Sequence, residues 1–274
     1  MMRMDAPTID WQTTQAGQPE WPALAITSYG GLVRIDVWPS SSRFVTSTDW
    51  IESRHSFSYG PHYDPTNVNF GLLAVHNDDV VQPGGGFAAH PHRGFEIVTW
   101  VVSGALRHDD DSGGPGGSGV VRPGMVQCLS AGTGVVHSEV NASEGVTRYL
   151  QMWLRSDDET PPEYRLAEAP AGEGRFAVVA SGNASAPDAP VRLRQPKASL
   201  LAADLRDGEV APLPAASFTH VYVVEGAVLL GDVPLLAGDA ARVIAATDLS
   251  VAADTASQVL AWSMGSQAWR PAAG

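Results

Sequence analysis

The sequence predicts an all-β protein, and three observations support this prediction. The 274 residues include 28 glycines and 20 prolines, which are spread along the chain and leave little room for long helices. Between these turn-forming residues, short runs rich in Val, Ile and aromatic residues recur at strand length. The pattern VVSGAL at 101–106 also returns as VVEGAV at 223–228, which indicates two similar β units.

Nine segments have the composition of strands: 70–76, 95–104, 124–131, 134–140, 147–154, 175–181, 219–230, 239–246 and 258–264. Two stretches, 159–169 and 197–206, are the candidates for short helices. Residues 109–119 (DDDSGGPGGSG) are typical of a Gly-rich turn between two strands.

The domain boundary is expected before the segment SGNASAPDAP at 181–190, which has the composition of a linker. We therefore predict an N-terminal domain over 1–165, which includes a leader segment, and a C-terminal domain over 166–274.

The charge of the chain argues against direct binding to nucleic acid. Its 30 acidic and 17 basic side chains give a formal charge of −13, which phosphate backbones repel. The single cysteine, Cys128, excludes an internal disulfide and suits a reducing compartment. No stretch approaches the roughly 18 apolar residues of a membrane span, and the first residues lack the apolar core of a signal peptide. We expect a cytoplasmic protein with no membrane partner.

A first group of candidate metal ligands lies in the segment AAHPHRGFEIV at 88–98. His90, His92 and Glu96 stand at alternate positions there, and such positions share one face of a strand. The three side chains converge if the strand runs unbroken through the intervening proline and glycine.

A second group, in GTGVVHSEVN at 132–141, shows the same spacing with His137 and Glu139. Three imidazoles and one or two carboxylates that face one interior are suited to a divalent transition metal. The spacing alone does not decide whether Glu96 or Glu139 is the carboxylate ligand.

These segments resemble the two cupin motifs and, more narrowly, those of the pirin family. Residues 84–104 are similar to the first motif, in which a glycine, an HxH pair, a glutamate and a second glycine follow one another. Residues 134–141 are similar to the second motif, with Gly132 where that motif has proline. HPHRGFE followed by SAGTGVVHSE is the pirin pattern, and WIESRHSFSYG at 50–60 resembles the entry segment of pirins. The resemblance is specific over 47–156 and loose elsewhere.

The resemblance implies a bicupin: two antiparallel β-barrel (jelly-roll) domains packed face to face, with a metal in the first. Pirins bind the metal through the motif-1 histidines, the motif-2 histidine and the glutamate two residues beyond it. Carried over, the ligands are His90, His92, His137 and Glu139, and Glu96 then lies inside the barrel as an indirect partner or a structural residue. The expected metal is Fe(II), although similar ligand sets also accept Mn, Ni, Cu or Zn.

The C-terminal domain is expected to bind no metal. Alignment of the two repeats places Pro212, Pro214, Phe218, Val251 and Ala253 where the N-terminal domain has His90, His92, Glu96, His137 and Glu139. No ligand is retained at these positions. His220, a lone histidine in this domain, is predicted to be a core residue with satisfied hydrogen bonds.

Other reactive residue types have simpler interpretations. His55, His62 and His76 lie outside the ligand pairs and are predicted at strand ends or in turns. Cys128 is predicted to be a small buried residue rather than a nucleophile. The run RHDDD at 107–111 is predicted to be the solvated end of a hairpin.

Tyr149, Gln151 and Trp153 stand at alternate positions of one predicted strand and therefore share a face. If that face is the inner one, the three side chains line the pocket. Ordinary barrel packing explains the pattern equally well, and the sequence leaves both interpretations open.

The resemblance implies a metal-dependent dioxygenase. Some pirins are similar in activity to quercetin 2,3-dioxygenase, which opens the central ring of a flavonol with O2 and releases carbon monoxide. Four protein ligands leave about two octahedral positions for substrate and O2, and Glu139 is the candidate base for the substrate hydroxyl proton. The alternative is a non-catalytic, iron-binding regulator, whose redox state changes the surface that contacts a protein partner.

Overall fold

A computed structural model describes residues 23–28, 31–112 and 117–266, and these residues form strands joined by turns and short loops. Their one helical element is a 3-10 turn at Ser40–Ser42. The described part of the chain contains no helix that is long and apolar enough to cross a membrane.

The first thirteen strands are β1 (Ala23–Ser28), β2 (Gly31–Trp38), β3 (Phe44–Ser47), β4 (Ile51–His55), β5 (Leu73–Val81), β6 (Gly86–His92), β7 (Phe95–Ser103), β8 (Leu106–Asp110), β9 (Ser118–Val121), β10 (Met125–Ser130), β11 (Val135–Asn141), β12 (Thr147–Arg155) and β13 (Glu163–Glu168). The other ten are β14 (Ala177–Ser181), β15 (Val191–Arg192), β16 (Ala198–Leu205), β17 (Val210–Pro212), β18 (Ala216–Glu225), β19 (Ala227–Leu230), β20 (Val233–Leu236), β21 (Ala240–Ala246), β22 (Ser250–Ala253) and β23 (Ser257–Met264).

These strands form four sheets, arranged as two sandwiches. The N-terminal sandwich pairs a seven-stranded sheet of order β13-β10-β7-β12-β5-β4-β3 with a four-stranded sheet of order β6-β11-β8-β9. The C-terminal sandwich pairs an eight-stranded sheet of order β1-β2-β21-β18-β23-β16-β14-β15 with a four-stranded sheet of order β17-β22-β19-β20. The sheets do not close into barrels, but the architecture is that of two jelly rolls, and the predicted all-β bicupin fold is confirmed.

Three apolar layers hold the sheets together. Leu106 and Val81 belong to the layer inside the N-terminal sandwich, and Val251 belongs to the layer inside the C-terminal one. Between the sandwiches, the two large sheets share a third layer, which includes Leu150 and Trp262. Full burial of one such large apolar side chain stabilises the fold by about 1.5–3 kcal/mol. The two halves therefore pack face to face, as expected.

The internal repeat is visible in the turns that join the large and small sheets. Gly104, between β7 and β8, and Gly226, between β18 and β19, both adopt left-handed backbone angles, with φ of 80° and 85°. A side chain at Gly104 would collide with Thr147, and one at Gly226 would collide with Ser257, each of which begins the neighbouring strand. The two copies thus need glycine for the same two reasons.

The two predicted helices are wrong, since residues 163–168 and 198–205 are strands β13 and β16. Ala and Leu are good helix formers, and the segment ASLLAADL is rich in both. Pairing overrides this preference, because β16 lies between β14 and β23 and buries most of its side chains. In the same way, β13 pairs along its whole length with β10.

The described part of the predicted leader segment belongs to the C-terminal sandwich rather than to the N-terminal one. Strand β2 pairs with β21, and Ile35 is buried inside the C-terminal sandwich. The predicted boundary at 165 falls within β13, and the expected linker connects β14 to β15 of the C-terminal sheet. The two sandwiches instead separate between Glu168 and Ala177. Some residues of these predicted units lie outside the described residues: 1–22 and 29–30 of the leader, 113–116 of the Gly-rich turn and 267–274 of the C-terminal domain.

Candidate metal centre

A cluster of histidines lies on the inner face of the small N-terminal sheet. His90 and His92 belong to β6, His137 and Glu139 to the central strand β11, and His108 to β8. The antiparallel register places His137 opposite His90 and Glu139 opposite His108. The alternation within each strand and the register between strands therefore bring all five side chains together.

Three of these imidazoles offer nitrogen atoms that lie within 4.8 Å of one another, those of His90, His92 and His137. Nδ1 of His90 lies 2.7 Å from the carbonyl oxygen of Ala88, so this nitrogen carries the proton and Nε2 has a free lone pair. Nε2 of His92 and Nε2 of His137 are buried and have no hydrogen-bond partner among the described residues. Because buried polar atoms rarely lack a partner, three convergent Nε2 atoms fit a metal ion as the missing partner.

A chain of hydrogen bonds orients His137 for metal binding. Nε2 of His108 lies 3.0 Å from a carboxylate oxygen of Asp110 and donates its proton to that oxygen. Nδ1 of His108 lies 3.3 Å from Nδ1 of His137, and a neutral His108 with its proton on Nε2 accepts the proton of His137 there. Nε2 of His137 is then left with a free lone pair. Metal-binding histidines commonly have such an outer partner, which fixes the tautomer and the ring direction.

Glu139 is the carboxylate next to the histidines. It is buried, its Oε1 accepts a hydrogen bond of 3.0 Å from Gln127, and its Oε2 accepts one from Gln151. Burial alone would raise its pKa, but the neighbouring imidazoles of His108 and His137 and the hydrogen bond from Gln151 together lower it to about 2. Glu139 is therefore ionised throughout the neutral range. It shares a second ligand group with His108 and His137, which overlaps the first group at His137.

His92 and His137 are held in the neutral form, which is the form that binds metals. Burial, together with the neighbouring His137 and His90, lowers the pKa of His92 to about 3. Burial also lowers the pKa of His137 to about 4, although Glu139 opposes this shift. Both rings are thus neutral at pH 7, and the neutral ring is the one with a lone pair for a metal.

Glu96 does not lie inside the barrel, contrary to the sequence-based expectation. The strand breaks at Arg93 and Gly94, so the histidines lie on β6 of the small sheet and Glu96 lies on β7 of the large one. Its carboxylate faces the other sandwich, where it accepts hydrogen bonds from Ser130 Oγ at 2.8 Å and from the backbone of Arg194 at 3.2 Å. The distance along the sequence could not reveal this change of sheet.

His108 and Asp110 were missed by the sequence-based interpretation, which placed them in a solvated hairpin end. Both side chains are fully buried, and the ring of His108 stacks on Tyr164 at 4.4 Å between centroids. Burial opposes the charged form of His108, but Glu139 and Asp110 outweigh it and raise the pKa of the ring. The available signal was the His-x-Asp spacing, which repeats the alternation of the other two pairs.

The face shared by Tyr149, Gln151 and Trp153 is the inner one. Gln151 donates to Glu139, and Trp153 Nε1 donates to Gln151 Oε1 at 3.2 Å while its ring lies 4.7 Å from that of His92. Tyr149 is fully buried in the apolar layer inside the sandwich. Both interpretations therefore apply, since two of the side chains line the site and the third packs in the core.

The remaining predictions had mixed outcomes. His55 ends β4 as expected, and Cys128 is a buried residue as expected. His76 instead lies within β5 and packs against His220. His220 is a core residue as predicted, but its hydrogen bonds are not satisfied, because neither ring nitrogen has a partner within the described ranges.

We predict that His108→Phe weakens metal binding about 10- to 100-fold, the usual cost of losing an outer partner of a ligand. Phenylalanine preserves the stacking on Tyr164 but cannot accept the proton of His137. Metal affinity is measured by competition with a chelator, and Asp109→Ala, which alters an exposed carboxylate on the same strand, is the control. Unchanged affinity in His108→Phe would show that His108 does not orient His137.

Comparisons with known proteins show which family the chain belongs to. The family model described as Pirin matches residues 39–154, and the one described as Quercetinase C-terminal cupin domain matches 174–264. A Mycobacterium tuberculosis protein that carries a provisional quercetin 2,3-dioxygenase name is 44% identical over 236 residues, which are 84% of this chain and 95% of that protein. An Escherichia coli protein named quercetin 2,3-dioxygenase is 33% identical over 214 residues, which are 77% of this chain and 90% of that protein.

A solved pirin structure is also similar to this chain. The bacterial pirin YhhW from Escherichia coli, in complex with nickel(II), superposes with a TM-score of 0.77 and 30% identity. The match covers 85% of this chain and 100% of YhhW. From its family matches, its relatives and its two-sandwich fold, the chain belongs to the pirin family.

Proposed function

We propose that the chain is a metal-dependent dioxygenase that opens a flavonol such as quercetin with O2 and releases carbon monoxide. The observation that carries this proposal is the convergence of three free Nε2 atoms next to an ionised, buried Glu139. The names of the relatives support the substrate class and the reaction.

His90, His92, His137 and Glu139 would hold the metal, for which we expect Fe(II). Mn, Ni, Cu or Zn are alternatives, because such ligand sets do not discriminate strongly among these ions; the structurally similar Escherichia coli pirin was solved with nickel(II). When bound, the metal supplies a Lewis acid for the substrate oxygens and a redox centre for the reaction with O2.

Three side chains of the site suit a flat aromatic substrate. His90 and His92 are partly exposed, so the substrate approaches the site from their side. Trp153, which packs edge to face on His92, presents an aromatic surface there.

Glu139 is the predicted base for the substrate hydroxyl proton. Its low pKa keeps it ionised and able to accept the proton. The hydrogen bonds from Gln127 and Gln151 limit how tightly it can hold the proton, which favours a brief transfer over a stable protonated state.

The test is a two-step reaction with the iron-loaded protein. Quercetin added without O2 should perturb the absorption spectrum of the metal, and admission of O2 should then consume quercetin with release of one equivalent of carbon monoxide. Protein stripped of metal is the control. If the loaded protein neither binds quercetin nor consumes it with O2, the dioxygenase proposal fails, and a comparison of protein partners captured by the Fe(II) and Fe(III) forms would test the regulator instead.

A further inference from the structure

A second group of buried polar side chains lies between the two large sheets, apart from the metal centre. Arg43 and His76 come from the N-terminal sandwich, and His220, Tyr222 and Arg242 come from the C-terminal one. Each is less than a tenth exposed, at 8%, 1%, 1%, 0% and 6% respectively. We call these five residues the interface cluster.

The members of the interface cluster are contiguous. The ring of His76 lies 4.8 Å from that of His220 and 4.6 Å from that of Tyr222, between centroids. The guanidinium of Arg43 lies 4.5 Å over the ring of Tyr222. The guanidinium of Arg242 lies 4.5 Å from the ring centroid of Phe57. The ring of Phe57 in turn lies 6.0 Å from that of His220, between centroids.

Six nitrogen atoms of this cluster are buried without a hydrogen-bond partner among the described residues: Nε and Nη2 of Arg43, Nε of Arg242, Nε2 of His76, and both Nδ1 and Nε2 of His220. The three guanidinium nitrogens are donors, and one of the two nitrogens of the neutral His220 is a donor as well, so at least four buried donors lack a partner within the described residues here. A guanidinium N–H can only donate, and the partner that is missing must therefore be an acceptor.

In the described part of the chain, the positive charge of Arg43 has no carboxylate of its own, whereas Asp36 and Asp64 offset part of the charge of Arg242. Asp78 accepts a hydrogen bond of 2.6 Å from the hydroxyl of Tyr222. Its carboxylate already forms a two-point ion pair with Arg148, at 2.8 and 3.0 Å. Arg43 donates a hydrogen bond of 3.3 Å to the hydroxyl of Tyr222, and its guanidinium forms no salt bridge with the described residues.

Arg242 is charged as well. It donates to two neutral oxygens, those of the Ser56 carbonyl at 3.0 Å and the Asn67 side chain at 2.7 Å. Burial lowers its pKa to about 9, with the charge of Arg43 acting in the same direction and Asp36 and Asp64 opposing it. The side chain therefore remains charged at neutral pH.

We propose that the interface cluster binds one compact monovalent anion of the halide class, which bridges the two sandwiches. The two guanidiniums exclude a cation, and a water molecule would accept hydrogen bonds but would leave the buried charge of Arg43 unbalanced. The close packing of the rings favours an anion of one or a few atoms. The anion accepts hydrogen bonds from N–H groups of Arg43 and His76 in the N-terminal sandwich and of His220 and Arg242 in the C-terminal one.

The direct test uses bromide, which scatters anomalously. Crystals of the metal-loaded protein grown in sodium bromide should give an anomalous peak within hydrogen-bond distance of Arg43 and His220, and the same position should hold chloride in crystals grown in sodium chloride. A map with only water there, or with bromide only at exposed arginines, would overturn the proposal. This measurement needs no variant and does not depend on the proposed function.

A test in solution replaces sodium gluconate, whose anion is too large for the cluster, with sodium chloride at constant ionic strength. The melting temperature of the metal-loaded protein should rise with chloride and reach a plateau, as expected for ligand binding to the native state. Arg43→Met and His220→Phe should each abolish this rise, and Arg54→Met, which changes an exposed arginine paired with Glu52, should preserve it. A melting temperature of the unmodified protein that does not respond to chloride would contradict the proposal.

Discussion

His137→Ala removes the bound metal and abolishes flavonol turnover, while the chain remains folded. His137 is the one residue common to both groups of potential ligands, and it lies on the central strand of the small sheet between His90 and His108. Loss of a direct ligand should cost more than the roughly 10- to 100-fold loss in affinity that follows removal of an outer partner. The fold survives because the three apolar layers do not include this histidine.

The measurements are the metal content after purification without added metal, the circular dichroism spectrum and the melting temperature. His62→Ala, which alters a half-buried histidine outside both ligand groups, is the matched control and should retain one metal per chain. Retention of metal by His137→Ala would refute the ligand assignment. Loss of the folded state together with the metal would show that the site is structural rather than catalytic.

Local patterns predicted most of the fold. Alternating apolar residues and glycine turns mark strands such as β7 and β12 within one residue of their ends, because both signals lie within a few residues of the chain. The segment of β16 was misassigned because helix propensity is also a local signal. Its pairing with β23 joins distant parts of the chain, and a local signal does not contain it.

Contacts between distant parts of the chain explain what the sequence did not reveal about the sites. The pairs at 90/92 and 137/139 were found because each pair is contained in one strand. Glu96 was misplaced because only the three-dimensional structure shows that the chain changes sheets after His92. The interface cluster joins residues from the two sandwiches, and no spacing within the sequence predicts such a contact.

The two buried glutamates should respond in opposite ways to the same substitution. Glu139→Gln removes the negative charge beside the histidines and turns a new amide toward the donors of Gln127 and Gln151. Metal binding should weaken, and turnover should fall by about 10²- to 10⁴-fold, the usual contribution of a general base.

Glu96→Gln should instead leave the metal and turnover unchanged and lower the free energy of unfolding by about 1–3 kcal/mol. Its carboxylate accepts hydrogen bonds from Ser130 and from the backbone of Arg194. It therefore links the N-terminal sandwich to the C-terminal one, away from the histidines. Isothermal titration with the metal and denaturant unfolding of each variant separate the two effects. If Glu96→Gln lost the metal while Glu139→Gln kept it, Glu96 would be the ligand used in many other cupins, and β7 would have to turn its carboxylate toward β6 in the metal-bound protein.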